Sequence, residues 1–143
     1  MTRRLVLRVS GTPAPQGSKR HVGNGVMVES SAKVKPWRQD VKHAAMEVLP
    51  QPWSPLLGPV RLVARFYLTR PKGHYGTGRN AGVVKASAPE WPAVKPDVDK
   101  LLRSTMDALG EAGVWRDDSQ VVVTDMSKSY APTAGAYLEV WSL

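Results

Sequence analysis

Two aspartates two residues apart, Asp97 and Asp99, and an adjacent pair further on, Asp117 and Asp118, are the side chains of this sequence best suited to chemistry. They lie in the run KPDVDKLLRSTMDALGEAGVWRDDSQV, which begins at Lys95. The first pair falls at the mouth of a predicted helix, and the second in a turn that leads into a strand. If that strand lies beside the start of the helix, Asp118 or Asp117 closes on Asp97 and Asp99. Such a carboxylate cluster suits a hard divalent ion, which takes oxygen ligands from a few carboxylates, waters and a substrate phosphate. An ion held there can polarise a scissile phosphate and activate water. The same residues also have a purely structural use. Asp97 after Pro96 is a helix N-cap, Asp99 in the first turn favours the helix dipole, and Asp117 and Asp118 are turn formers.

The charge distribution weighs on the side of chemistry. The chain carries 20 basic and 12 acidic side chains, for a formal charge of +8. Residues 1–96 hold 16 basic and 4 acidic groups, a balance of +12, whereas residues 97–143 hold 4 and 8, a balance of −4. A polyanion is the natural partner of the basic part, because each phosphate contact releases condensed counterions. Six of the twelve acids fall between Asp97 and Asp118, inside an otherwise cationic chain. No cysteine is present, which excludes disulfides, Cys-ligated zinc and thiol catalysis. No apolar run is long enough to span a bilayer, and Arg3, Arg4 and Arg8 interrupt the N-terminal one. A soluble cytoplasmic protein is the expectation.

Around these acids the chain reads as one domain, 1–143. The spacing predicts strands over 4–9 and 26–29, and a helix over 36–49 with Trp37, Val41, Ala44, Ala45 and Val48 on one face. A strand over 59–69 follows, in which Val60, Leu62, Ala64 and Phe66 alternate with polar or outward residues. Residues 71–96, rich in Gly, Pro and basic groups, form a long loop of the kind that is functional or mobile. A second helix over 98–109 turns Leu101, Leu102, Met106 and Leu109 inward. Strands over 120–127 and 136–141 close the pattern. The order implies an α/β or α+β domain with two helices packed on a small mixed sheet, whose strand order the sequence leaves open.

The run from Lys95 to Val121 resembles the signature of RusA-type Holliday junction resolvases. In that family a D-x-D pair opens a helix that continues to D-A-L, and an aromatic or apolar residue then precedes D-D-x-Q-V. Asp97, Asp99, Asp107, Ala108, Leu109, Trp115, Asp117, Asp118, Gln120 and Val121 occupy those places. The early segment GTPAPQGSKR resembles the family's proline-rich basic loop. The resemblance implies that Asp97, Asp99 and Asp118 are catalytic carboxylates binding Mg²⁺, with Mn²⁺ a possible substitute. It implies a homodimer whose two sites nick opposed strands of a four-way DNA junction. Only the family pattern favours Asp118 over Asp117. Two residues depart from it: Lys100 stands where the family usually has Asn, and Arg103 where it commonly has Lys. Arg103 keeps the charge for phosphate but cannot transfer protons near neutral pH, and it stands at ion-pair spacing from Asp99 and Asp107. Asp107 is left outside the metal set, as a partner of Arg103 or part of a dimer surface.

The remaining cationic residues are read as DNA contacts: Lys19 and Arg20 in the early loop, Arg70, Lys72 and Arg79 in the long one, and Lys100 and Arg103 on the helix. A solvated surface is the alternative for each. Tyr75 is placed to stack on an unpaired base, and Trp115 to lie in the core. GTPAPQGSK is not a phosphate loop, because its glycine spacing is wrong and Ser18 precedes Lys19. His21, His43 and His74 share no metal-ligand spacing. Two rival functions stand beside the resolvase: a non-catalytic DNA-binding module, and a nuclease acting on forks or flaps.

Overall fold

The computed structural model describes residues 3–17, 19–21, 27–29 and 32–143. Strands β1 (Arg4–Ser10), β2 (Lys19–His21) and β3 (Met27–Glu29) precede helix α1 (Val34–Val48) and strand β4 (Val60–Leu68). Helix α2 (Val98–Glu111) and strands β5 (Val121–Tyr130) and β6 (Gly135–Ser142) complete the chain. The main sheet has the order β1-β6-β4-β5, antiparallel except for β4 and β5, while β2 and β3 form a separate hairpin. This is the mixed sheet with two helices that the sequence implies.

The parallel pair explains the topology. Two parallel neighbours need a crossover connection, and here the crossover is residues 69–120, including α2. The inward rows of the sheet are Leu5, Val140 and Leu62, then Leu7, Leu138 and Ala64, then Val9, Ala136 and Phe66, each in cross-strand register. Leu7, Leu62, Ala64, Phe66, Leu138 and Val140 are fully buried. Trp37 and Val41 of α1 and Leu101 and Leu109 of α2 cover them. Trp37 is fully buried, and its Nε1 donates to Thr105 Oγ1 at 3.1 Å, joining the helices without an orphaned donor.

Three sequence expectations change in detail. Val48 is exposed and Leu49, at the C-cap of α1, is buried in its place, so the apolar face drifts by one residue at the frayed end. Met106 is only partly buried. The long loop 71–96 holds two short 3₁₀ turns, Lys72–His74 and Gly78–Asn80, and a bridge between Tyr75 and Val84. Among the described residues, no helix is long and apolar enough to cross a membrane.

β5 is an edge of the main sheet, and Val122, Val123 and Met126 on it are exposed. The sheet face away from the helices carries Arg4, Arg8 and Arg61, all exposed, and Arg65, which holds Asp125 through two bonds of 2.9 and 3.0 Å.

Candidate active site

Helix α2 positions Asp97, Asp99 and Asp107, and the turn that follows it positions Asp117 and Asp118. Asp97 occupies its N-cap with extended backbone, yet its side chain makes no capping bond. It faces Lys100 Nζ at 3.7 Å instead. Asp99 is exposed in the first turn. The helix N-terminus favours both negative charges, but capping does not occupy the Asp97 carboxylate. Lys128 fixes the segment that delivers them: its Nζ donates to the carbonyls of Val94 (2.5 Å) and Pro96 (2.8 Å). Sequence reasoning missed Lys128. Its signal is a lysine on the row of β5 that faces the helices, in register with buried Phe66.

The basic loop after β1 docks on the same turn. Gln16 N–H reaches the Lys100 carbonyl at 3.0 Å, and Ser104 Oγ donates to the Ala14 carbonyl at 2.6 Å. Lys19 and Arg20 stand on β2, but their side chains lie outside the described residues.

Asp118 lies at the other end of the helix. Its Oδ1 accepts from Trp115 Nε1 at 2.9 Å, and it would stand 3.2 Å from a Cβ built on Gly110, in the last turn of α2. At ~1.5 Å rise per residue, Asp107 lies about 12 Å and Gly110 about 16 Å from Asp99 along the helix. Oxygen ligands sit ~2.0–2.6 Å from their ion, so two of them span at most about 5 Å. One chain therefore does not bring Asp118 to Asp97 and Asp99. Consistently, among the described residues no three acids or histidines are grouped to hold a metal ion.

What one chain does bring to Asp118 is Asp107, which sequence reasoning left outside the set. The pKa of Asp107 is raised above its ordinary value, by partial burial first and then by the negative charge of the adjacent Asp118; Arg38 and Arg103 oppose the shift. Asp107, Asp118, Gly110, Glu111 and Arg116 share one open depression. The signal for this pairing is the D-A-L aspartate itself, one helical turn before Gly110.

Asp117 has a different task. Its Oδ1 accepts from Ser119 N–H at 2.8 Å, which lowers its pKa, and Gln120 Oε1 accepts from Asp117 N–H at 2.9 Å. Gln120 Nε2 then donates to the carbonyls of Leu56 and Gly58, each at 2.9 Å, fastening the turn to the segment before β4. The Asp117 carboxylate is committed to its own turn, while that of Asp118 is held by a buried indole.

This arrangement predicts a separable effect. Gly110→Ala improves helix propensity by ~0.5–1 kcal/mol, yet its Cβ crowds Asp118 Oδ1 at 3.2 Å and Trp115 Nε1 at 3.4 Å. The variant is expected to melt no lower than wild type and to cleave DNA roughly tenfold more slowly, the cost of a small misplacement. Trp115→Phe, which removes the donor from Asp118, is expected to raise the metal concentration needed for cleavage. Melting curves and metal titrations of cleavage check both.

The long loop distributes its cations unequally. Arg70 is partly buried, donates to the Pro89 carbonyl at 2.6 Å and lies 4.5 Å over the Tyr130 ring, so it is spent on the loop's own structure. Lys72 and Arg79 are exposed on the two 3₁₀ turns, and Arg103 is exposed on α2. Lys100 is half-buried beside Asp97.

The family model of endodeoxyribonuclease RusA matches residues 10–141, nearly the whole chain and all the acids above. The chain belongs to the RusA endodeoxyribonuclease family. RusA enzymes are metal-dependent nucleases, Holliday junction resolvases acting on branched DNA. The uncharacterized protein YqaN of Bacillus subtilis (strain 168) is 34% identical over 128 residues, covering 86% of this chain and 85% of the relative. The RusA match removes the non-catalytic binding module from contention.

Proposed function

We propose that this RusA-family protein resolves four-way DNA junctions by paired, symmetric nicks made by a homodimer, with Mg²⁺ (or Mn²⁺) at a carboxylate site of Asp97, Asp99 and Asp118. The observation that carries the dimer is the separation just described. Asp97 and Asp99 sit at the start of α2 and Asp118 beside its end, about 12 Å or more away. A single-chain site would leave the three in two groups. In a two-fold dimer, Asp97 and Asp99 of one protomer meet Asp118 of its partner, and the symmetry generates two such sites. The exposed edge of β5, which carries Val122, Val123 and Met126, supports a second copy on that side.

The donor set is all oxygen, as a hard divalent ion requires, and Asp118 stands beside Asp107, whose pKa is raised by partial burial and by the Asp118 charge, a crowding of negative charge that a cation relieves. When bound, the ion supplies Lewis-acid activation of the phosphate and of water. The chain itself does the rest. Trp115 orients Asp118, Lys128 fixes the approach to Asp97, and Lys72, Arg79, Lys100 and Arg103 meet DNA phosphates, with Lys19 and Arg20 extending that track. Arg103 contributes charge alone, since its guanidinium stays protonated.

A second reading has one observation in its favour. Asp107 beside Asp118 suggests an ion held within one chain at the end of α2, with Asp97 and Asp99 serving only DNA or helix electrostatics. Under it, Asp99→Asn retains cleavage. Substrate choice is tested by cutting rates on a four-way junction, a replication fork, a flap and linear duplex of the same sequence. The junction is expected to be cut at least tenfold faster than the others, and equal or faster cutting of forks or flaps would reassign the substrate.

A further inference from the structure

A cleft of about 400 Å³ opens where the loop after β1, the end of β4, the segment before α2 and the β5–β6 turn meet. Five of its lining residues are prolines, among them Pro96, and Tyr130 forms part of the wall. Its charged lining residues are Lys33 and Lys95, and no acid lines it among the described residues. Proline rings are rigid and bury apolar surface without losing rotamers. Tyr130 is itself immobilised, by the Arg70 guanidinium 4.5 Å from its centroid and by the His74 ring edge-on at 5.4 Å. A preformed, flat-walled apolar slot with two cations and no anion fits an aromatic ring that carries a phosphate. Its volume lies within the ~300–1,000 Å³ typical of small-ligand sites. Pro96 immediately precedes Asp97, and Lys128 locks the carbonyls of Val94 and Pro96, so the slot and the first acid pair form one assembly.

We infer that this cleft receives one unstacked nucleotide next to the scissile phosphate, its base against the proline and Tyr130 walls and its phosphates met by Lys33 and Lys95. Thr12 and Thr69, also in the lining, offer hydroxyls to the base edge, which makes the cleft a candidate reader of the base at the cut. An enzyme acting at a branch point takes such a base from the stack at reduced cost, because the continuous stack is already interrupted there. The inference rests on the reading that Asp97 and Asp99 belong to the cutting site.

The test pairs a filled cleft with a missing base. Ala134→Trp, from the turn between β5 and β6, places an indole in the slot, and Thr69→Trp does so from a second lining position. Each is assayed in Mg²⁺ on an intact four-way junction and on junctions abasic at either nucleotide flanking the cut. Losing a base-stacking contact corresponds to roughly five- to hundredfold, and a penalty of that size is expected on intact DNA. It is expected to shrink to under about threefold on one abasic junction, where no base competes with the indole. In parallel, 2-aminopurine at that nucleotide is expected to brighten severalfold when wild type binds in EDTA, and to do so less with either Trp variant. Equal penalties on intact and abasic junctions, no penalty at all, unchanged 2-aminopurine emission, or loss of the dimer in both variants would overturn the inference; the last would give the cleft to a second copy of the chain. Wild type that fails to cut the intact junction sinks the catalytic reading instead, so the two failures are distinguishable.

Discussion

Mixing two inactive variants, Asp99→Asn and Asp118→Asn, is expected to restore nicking of a four-way junction. Each variant alone lacks a carboxylate in both sites of the dimer, and each is expected to lose cleavage on the order of a thousandfold. In a mixed dimer with composite sites, both substitutions fall in one site and leave the other wild type. With free exchange half the dimers are mixed and each has one intact site, so activity returns to roughly a quarter of the wild-type site count, as single nicks. If every site lay within one chain, a mixed dimer would hold two dead sites and recover nothing. Asp107→Asn separates the second reading further. With composite sites it removes only a neighbour of Asp118 and is expected to slow cleavage less than tenfold, whereas an ion held by Asp107 and Asp118 would be lost with it.

Val122→Asp is expected to dissociate the dimer and abolish cleavage together, while the far-ultraviolet spectrum stays that of wild type. Val122 is 60% exposed on β5, so the monomer's core does not depend on it. An unpaired carboxylate buried at an interface costs several kcal/mol, and two-fold symmetry presents it twice. A rise in the dimer dissociation constant of at least about a hundredfold follows, since each 1.4 kcal/mol is a factor of ten. Sedimentation velocity and junction cleavage on the same preparation check it. A dimer that survives the substitution places the interface elsewhere.

The elements were legible because their signals are local. The alternation of Val60, Leu62, Ala64 and Phe66 requires a half-buried strand, and the 3.6-residue spacing of Trp37, Val41 and Ala45 requires a helix. The strand order was not legible, because it depends on pairings between residues far apart in the chain, such as Leu7 with Leu138 and Leu62 with Val140. The acids were legible as residue types and as a family pattern; their spatial grouping needed one more step. The seven steps from Glu111 to Asp118 could span the ~21 Å of α2 if fully extended, so length alone does not decide. The turn instead folds back on the helix end, with Gly113 N–H donating to Gly110 and Val114 N–H to Leu109, and this leaves Asp118 there. Asp107 then becomes its neighbour, which the ion-pair spacing to Arg103 alone had obscured. Lys128 and the Trp115 bond to Asp118 are tertiary contacts, outside the reach of periodicity.

The most direct measurement is cleavage of a labelled synthetic four-way junction by wild type and Asp99→Asn, each with and without Mg²⁺. Paired symmetric nicks that require the metal and vanish in the variant are the predicted result. Tight binding without nicks in Mg²⁺ or Mn²⁺, or cleavage that persists in Asp99→Asn, would contradict the account.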